Sequence, residues 1–383
     1  MSNPSSLSPL PEDDFWMRGA LKLARRGTGL AHPNPLVGAV VVREGRVLGE
    51  GFHTWERRGH AETLALDIAG AAARGATLYV NLEPCCHTGR TSPCTKTIIA
   101  AGIRRVVAAM RDPNPIVAGR GLRELQRAGI EVLCGVGGDE ARRLNEDFAC
   151  WIRAHRPFVI LKTAATLDGQ IGSRSGSTTR ITSPESHEEV QRLRHAADAL
   201  LTGIGTVLAD DPRLTDRSGG PRRRALLRVV VDSRLRLPVK SRLVREAAGD
   251  LLVFTTKSNE SPKAKTLRRA GVEVVQARGA GGRVDLRKVI RELGRREILN
   301  VLLEAGAELN GAALRADIVD KLVLFLAPKI AGGGHVPIAR SFWPRIAAAP
   351  TLRLAQLRFS GPDAVLEGYF HDVYGNRSGH RKN

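Results

Sequence analysis

A histidine, a carboxylate and two thiols stand in one ordered run of this chain. His60-Ala61-Glu62 comes first, and Pro84-Cys85-Cys86-His87-Thr88-Gly89-Arg90-Thr91-Ser92-Pro93-Cys94 follows. His60, Cys85 and Cys94 offer an imidazole and two thiolates, three protein ligands that leave a fourth zinc position open. Water in that position ionises near pH 7, and Glu62, which is no ligand, can take and return its proton. The chemistry implied is hydrolysis at an amino-bearing ring carbon with loss of ammonia. The signature of such centres ends in C-x-x-C, whereas eight residues separate Cys85 from Cys94. Two readings stand at this point: no zinc, or a branch with a long loop between its thiols. A capping histidine and two buried apolar cysteines are the plainer reading of the parts. Their order, on a helix start, after a strand and on a second helix start, points to the metal.

These residues need rigid supports. Asp13-Asp14 can cap a helix with Trp16, Ala20, Leu21 and Ala24 on its apolar face. His32-Pro33-Asn34-Pro35 reads as an irregular loop, since each proline removes a donor. Residues 37–42 and 46–53 read as strands joined at Glu44-Gly45. His60 opens a helix with Ala61, Leu64, Ala65, Ile68 and Ala72 on one face. Strand 76–82 leads to the cysteine loop, and Cys94 opens a helix whose N-terminal dipole favours a thiolate. Strand 104–110, helix 121–128, strand 130–133 and helix 140–155 follow. The alternation predicts a three-layer α/β/α domain over 13–155. The pattern restarts at Arg156-Pro157. Strands are expected at 158–164, 199–202, 227–231, 251–255, 272–275, 300–303 and 321–327, and helices at 183–195, 263–270, 286–293 and 308–315. That is a second α/β domain, taken as 156–373, with 219–224 as a surface loop.

The net charge is +20, yet aromatic residues are only 4% and none interleave with the scattered arginines to stack bases. A basic surface that draws in anionic substrates is expected, and no nucleic-acid partner. No apolar run approaches the roughly 20 residues of a membrane span, and the first ten residues lack a signal peptide's regions. No membrane association and a cytoplasmic location are the expectations. Five cysteines in no framework pattern suit a reducing compartment. Cys86 reads as a packing or spare thiol, and Cys134 and Cys150 carry no motif.

Three groups of residues carry a resemblance: His32-Pro33-Asn34-Pro35 with Val37-Gly38; Leu82-Glu83-Pro84-Cys85 and His87-x-Gly89-Arg90-Thr91-x-Pro93-Cys94; and Asp112-Pro113-Asn114-Pro115 with Gly119-Arg120-Gly121-Leu122. With His60-Ala61-Glu62 they resemble the bifunctional riboflavin-biosynthesis deaminase/reductase family, in which the long cysteine spacing is normal. The resemblance implies a cytidine-deaminase-like first domain acting on 2,5-diamino-6-ribosylamino-4(3H)-pyrimidinone 5′-phosphate. It implies zinc on His60, Cys85 and Cys94, with Glu62 as proton shuttle. Asn34 and His53 would contact the pyrimidine, and His87 and Arg90 the ribose phosphate. Asn81 stands where Thr or Ser is frequent in the family, and little effect is expected.

The second half resembles the family's reductase domain, which has a dihydrofolate-reductase-like α/β fold. The matching pieces are Leu161-Lys162, Thr166-Leu167-Asp168-Gly169, Ile181-Thr182, Gly203-x-Gly205-Thr206-Val207, Ala209-Asp210-Asp211-Pro212, Leu214-Thr215, Val231-Asp232-Ser233 and Glu304-Ala305-Gly306. A strand ending in Glu304 with Gly306 opening a helix lets amides approach a phosphate. By resemblance, NADPH would lie along Ala164, Arg180, Thr206, Asp210, Ser233, Gly306, Ala307, Glu308, Leu309, Asn310, Gly311 and Ala312. Lys162, Thr178, Arg194, Leu214, Arg217 and Glu304 would face the substrate, whose ribose C1′ receives the hydride and opens to a ribityl chain. The family often has Trp where this chain has Arg180, which removes an aromatic wall beside the nicotinamide. The partner expected is a small phosphorylated pyrimidine, and a homo-oligomer is expected because family members are often oligomeric. The alternatives are a tRNA-editing zinc deaminase, and a deaminase whose degenerate second domain serves oligomerisation.

Overall fold

The computed structural model describes residues 8–57, 59–88, 92–172, 180–340 and 343–375. The chain forms two compact units: residues up to Ala154 together with Pro221–Arg223, and His155–Gly220 with the residues from Arg224 onward. No helix among the described residues is long and apolar enough to cross a membrane.

In the first unit the order is α1 (Asp13–Arg25), β1 (Gly38–Arg43), β2 (Arg46–Phe52), α2 (Ala61–Ala69), β3 (Thr77–Val80), α3 (Cys94–Ala100), β4 (Arg105–Ala108), α4 (Arg120–Arg127), β5 (Glu131–Cys134), α5 (Gly138–Leu144) and α6 (Glu146–Ala154). The sheet order is β2-β1-β3-β4-β5. β1 is antiparallel to β2 and β3, while β3, β4 and β5 run parallel. Glu44 and Gly45, both at positive φ, close the β1–β2 hairpin. Ala39 lies opposite Gly51 in the register, so Gly38 and Gly51 face opposite sides of the sheet. A Cβ on Gly38 would lie 2.2 Å from the Ala20 carbonyl oxygen of α1, and one on Gly51 2.3 Å from the Ala61 carbonyl oxygen of α2. α1 and α2 therefore cover opposite faces, each at backbone contact.

Three expectations change here. Asp13 is a buried ion-pair residue in the first turn of α1 rather than its cap, a place taken by Glu12. Its carboxylate accepts from both Arg105 Nη atoms at 2.7 and 2.8 Å and from the Tyr79 hydroxyl at 2.9 Å. Ile68, placed on the inner face of α2, is exposed, and Leu66 is buried instead. The helix expected at 140–155 is two helices, because Asn145 leaves helical geometry at φ −120°. Its side chain instead accepts from the Leu36 amide at 2.8 Å and donates to the Leu36 carbonyl at 3.1 Å.

The second unit runs β6 (Phe158–Thr166), β7 (Gln170–Gly172), α7 (Pro184–Ala196), β8 (Ala199–Gly203), α8 (Ile204–Asp210), β9 (Leu227–Val231), α9 (Arg242–Arg245), β10 (Leu251–Thr255), α10 (Pro262–Arg269), β11 (Glu273–Gln276), α11 (Leu286–Arg295), β12 (Asn300–Leu303), α12 (Ala307–Arg315), β13 (Lys321–Ala327), β14 (Val336–Pro337), β15 (Arg353–Ser360) and β16 (Asp363–Tyr369). Its nine-stranded sheet has the order β11-β10-β9-β8-β12-β6-β13-β16-β15. Strands β11 through β13 in that order are parallel, and β16 and β15 add an antiparallel edge. Among the described residues β14 pairs with β7 alone. Val159, Leu161, Leu201, Val229, Phe254 and Val301 form the core with Val289 and Leu293 of α11. The central strands are apolar without alternation, as strands covered on both faces are. Ser183 caps α7, its hydroxyl accepting from the Ser186 amide at 3.3 Å.

Candidate active sites

His60 is the N-cap of α2 and Glu62 lies in its first turn, only 4% exposed. Cys94 is the first residue of α3 and fully buried, and Cys85 sits in the loop after β3. One nitrogen of His60 and the Sγ atoms of Cys85 and Cys94 lie within 4.8 Å of one another. His60 Nδ1 is 3.1 Å from Cys94 Sγ and 3.4 Å from Cys85 Sγ. Tetrahedral zinc, at about 2.3 Å from sulfur and about 2.0 Å from nitrogen, sets N···S edges of about 3.5 Å. The donor set fits zinc in type and in spacing. The two ends of the cysteine loop are also fastened together. The Cys94 amide donates to Cys85 Sγ at 3.4 Å, and the Thr95 amide to the Cys85 carbonyl at 3.2 Å.

The hydrogen bond from Cys94 holds the Cys85 thiol down, to about 4. The same bond, with burial, holds Cys94 up. His60 is raised by its bond to Cys85, against burial. Burial pushes the Glu62 carboxyl up, against the pull of His60. A carboxyl raised in this way is suited to carrying a proton.

Asn34 and His53 join this cluster. Asn34 Nδ2 is 2.9 Å from His53 Nε2, and the His53 ring meets the His60 ring edge-on at 5.6 Å between centroids. His53 Nδ1 faces the Gly59 carbonyl at 3.3 Å. That carbonyl requires a proton on Nδ1, so Nε2 accepts from Asn34. The Asn34 loop contains a cis His32–Pro33 bond, and His32 Nε2 lies 3.2 Å from Asp147. His87 is exposed and lines a cavity of about 580 Å³ with Cys86, Ile116, Arg120, Arg123, Glu124 and Arg127. Arg90 lies outside the described residues.

Three residues have supporting roles that the sequence does not announce. Asn81 is fully buried, accepts from the Gly38 amide at 2.8 Å and donates to the Leu36 carbonyl at 2.9 Å. With Asn145 it fixes the chain that leaves the Asn34 loop. A buried amide in the run Tyr79-Val80-Asn81-Leu82 is the signal available. Glu83 is buried and accepts from the Asp112, Gly119 and Leu122 amides at 3.1, 2.7 and 3.2 Å. It ties the Asp112–Asn114 turn to the strand end that carries Cys85.

In the second unit Leu303 pairs with Leu161 on one side and Leu201 on the other, and Leu201 with Val229. Glu304, just past the end of β12, and Lys162, midway along β6, therefore stand level on adjacent strands. Gly203 ends β8, and Ser233 follows β9. Ligands of parallel sheets bind outside such carboxyl ends. Arg194 of α7 grips Glu304 through Nε at 2.8 Å and Nη2 at 2.9 Å, and its Nη1 donates to the Thr215 carbonyl at 3.1 Å. Lys162 Nζ is 4.0 Å from Glu304 and 5.7 Å from the centre of the Phe325 ring. Burial pushes Lys162 down, with Glu304 opposing. Burial alone would raise Glu304, but Lys162 and Arg194 outweigh it and hold it low. Arg194, Leu214 and Arg217 share a cavity of about 350 Å³ with Pro212, Arg213, Thr215 and Arg242.

Ala164 is on β6, and Thr206 and Asp210 are on α8. Gly306 caps α12, whose first turns hold Ala307, Glu308, Leu309, Asn310, Gly311 and Ala312. Leu309 comes within 3.4 Å of a Cβ built on Gly203, which brings α12 against the end of β8. The Asn310 side chain is buried and donates to the Ile338 carbonyl at 2.8 Å. Ser233 Oγ accepts from the Val284 amide at 3.0 Å. Arg180 is exposed, and Thr178 lies outside the described residues.

Known proteins match both halves of the chain. The family model described as the cytidine and deoxycytidylate deaminase zinc-binding region matches residues 10–110. That described as the RibD C-terminal domain matches residues 157–366. The riboflavin biosynthesis protein RibD of Aquifex aeolicus is 44% identical over 322 residues, 84% of this chain and 88% of that one. RibD of Escherichia coli is 41% identical, over 93% of this chain and 98% of its own. Among solved structures, Acinetobacter baumannii RibD superposes with a TM-score of 0.82 at 35% identity, over 94% of this chain and 99% of that one. The Thermotoga maritima diaminohydroxyphosphoribosylaminopyrimidine deaminase/5-amino-6-(5-phosphoribosylamino)uracil reductase gives 0.81 at 36% identity, over 93% and 98%. The chain belongs to the RibD family of bifunctional riboflavin-biosynthesis enzymes, a zinc deaminase joined to an NADPH-dependent reductase.

Proposed function

We propose that this chain performs two consecutive steps of riboflavin biosynthesis with the residues grouped above. The first is hydrolytic deamination of 2,5-diamino-6-ribosylamino-4(3H)-pyrimidinone 5′-phosphate. The second is reduction of the ribosyl group of 5-amino-6-(5-phosphoribosylamino)uracil to ribityl. One observation carries the reading: three zinc-type donors converge beside a buried glutamate whose carboxyl is raised by burial.

His60, Cys85 and Cys94 would hold zinc, which when bound supplies the Lewis acidity that brings water ionisation near neutral pH. Glu62 takes the water proton and delivers it to the departing amino group, so one water is consumed and one ammonia released. His53 fixes the Asn34 amide through its Nδ2, which leaves Asn34 Oδ1 to accept from a pyrimidine N–H. His87 and Arg90 are assigned to the phosphate end. In the second unit NADPH supplies the hydride. Gly306 and the first turns of α12 would take its phosphates, with Ala164, Thr206, Asp210 and Ser233 around it. Arg194 and Arg217 bind the sugar phosphate, and Lys162 holds a proton beside the reacting ribose. We assign the enzyme to the cytoplasm, a reading supported by cysteine use suited to a reducing compartment. We also assign it a homo-oligomeric state, as the family resemblance suggests.

A coupled assay with separate ammonia and NADPH readouts tests this. Glu62→Gln is expected to cut ammonia release by about 10²–10⁴-fold, with zinc content and NADPH oxidation on the supplied intermediate retained. Full deamination by Glu62→Gln would overturn the first half. No NADPH oxidation at saturating intermediate would overturn the second and favour a degenerate second domain.

A further inference from the structure

The cavity that holds Arg194, Leu214 and Arg217 has two more arginines in its wall, Arg213 and Arg242. We propose that Arg242 is a specificity-determining residue of the reductase, which reads the substrate's 5′-phosphate by exchanging Asp211 for the incoming dianion. This rests on the reductase reading above.

The partners of the four guanidinium groups separate their roles. Arg194 gives two bonds to Glu304 and one to the Thr215 carbonyl, so it meets the sugar phosphate with part of its charge already neutralised. It shapes the cavity and neutralises a carboxylate more than it adds charge. Arg217 has no carboxylate partner among the described residues, so it is a standing positive charge. Arg213 pairs with Glu246 at 3.2 Å. Arg242 pairs with Asp211 through Nε at 3.6 Å, too long for a hydrogen bond, with the two side chains 54% and 47% exposed. Half-exposed pairs of that length hold little energy and exchange readily.

The backbone prepares Arg242 for the exchange. Asp211 and Leu214 both sit at positive φ, 39° and 54°. The turn between them forms the cavity wall. Asp211 Oδ1 also accepts from the Arg242 amide at 2.8 Å. The root of Arg242 is thus fastened to the turn while its guanidinium is loosely held. A phosphate monoester carries nearly two charges at neutral pH and takes two parallel bonds from a guanidinium. It outcompetes a single, half-solvated carboxylate for that fork.

The test uses the full chain, with NADPH oxidation measured on 5-amino-6-(5-phosphoribosylamino)uracil and on its dephosphorylated counterpart. Arg242→Ala is expected to raise KM about tenfold on the phosphorylated substrate, with kcat little changed. On the phosphate-free substrate it is expected to change nothing, so the double cycle isolates the phosphate. Arg242→Lys is expected to recover part of the loss. Asp211→Asn keeps the acceptor for the Arg242 amide, removes the competing charge, and is expected to lower KM. Inorganic phosphate is expected to raise the unfolding midpoint of the wild type more than that of Arg242→Ala. Equal losses on both substrates, or an unchanged KM, would overturn the proposal. A wild type that oxidises no NADPH with either substrate overturns instead the reductase reading on which it rests.

Discussion

Glu304 shows how much one side chain can govern. It is the shared anion of Arg194 and Lys162, at 2.8 and 4.0 Å. Glu304→Gln leaves two cations facing each other in a mostly enclosed site. Breaking a buried pair from one side costs about 3–5 kcal/mol. The expected result is a large loss of reductase kcat/KM with ammonia release unchanged. Glu304 also sets an acid limit. Its carboxyl is held below its usual 4.5, so it contributes stability above that value and loses it as pH falls through the folded value. Acid unfolding followed by circular dichroism is expected to begin at higher pH in Glu304→Gln than in wild type. The zinc donors were legible in the sequence because hydrolytic chemistry demands those residue types in that order. Glu83, Asn81 and Asn145 were not. Their partners are backbone amides and carbonyls far along the chain, and no residue type announces a backbone partner.

At the scale of elements, two glycines determine how close the helices approach. α2 lies on Gly51 at backbone contact, and its first turn carries Glu62 with His60 as its cap. Gly51→Ala would put a methyl group where the Ala61 carbonyl sits and push that turn off the sheet. Zinc per chain and ammonia release are expected to fall together, with NADPH oxidation spared, as metal analysis and the coupled assay would show. The Asp13–Arg105 pair fastens α1 to β4. Arg105→Ala strands a buried carboxylate beside Tyr79 and is expected to cost about 3–5 kcal/mol, read by denaturant unfolding. Periodicity found α1, α2 and most of the parallel strands, because their buried faces repeat. It missed β15, where burial does not repeat. β15 is exposed along nearly its whole length, since it is the sheet edge. The break at Asn145 was hidden because its cause is a pair of bonds to Leu36.

For the whole molecule, the division of labour follows from two units with separate sheets. Chelation is expected to abolish ammonia release and to leave NADPH oxidation on the supplied intermediate intact. Loss of both activities together would contradict it. Strand–helix alternation made the class of both units legible, but not the strand order, which depends on contacts between distant segments. The +20 charge is consistent with two sites that each receive a phosphorylated ligand. The clasp between Thr95 and Cys85 bears on descent as well as on catalysis. Doubling a loop's length costs only about 0.6 kcal/mol, so a loop whose ends are already joined can lengthen, shorten or change composition without shifting the donors at its ends. The eight residues between Cys85 and Cys94 are therefore free to change at little cost to the donors. A change of loop sequence is then expected to alter what the site contacts before it alters the metal donors.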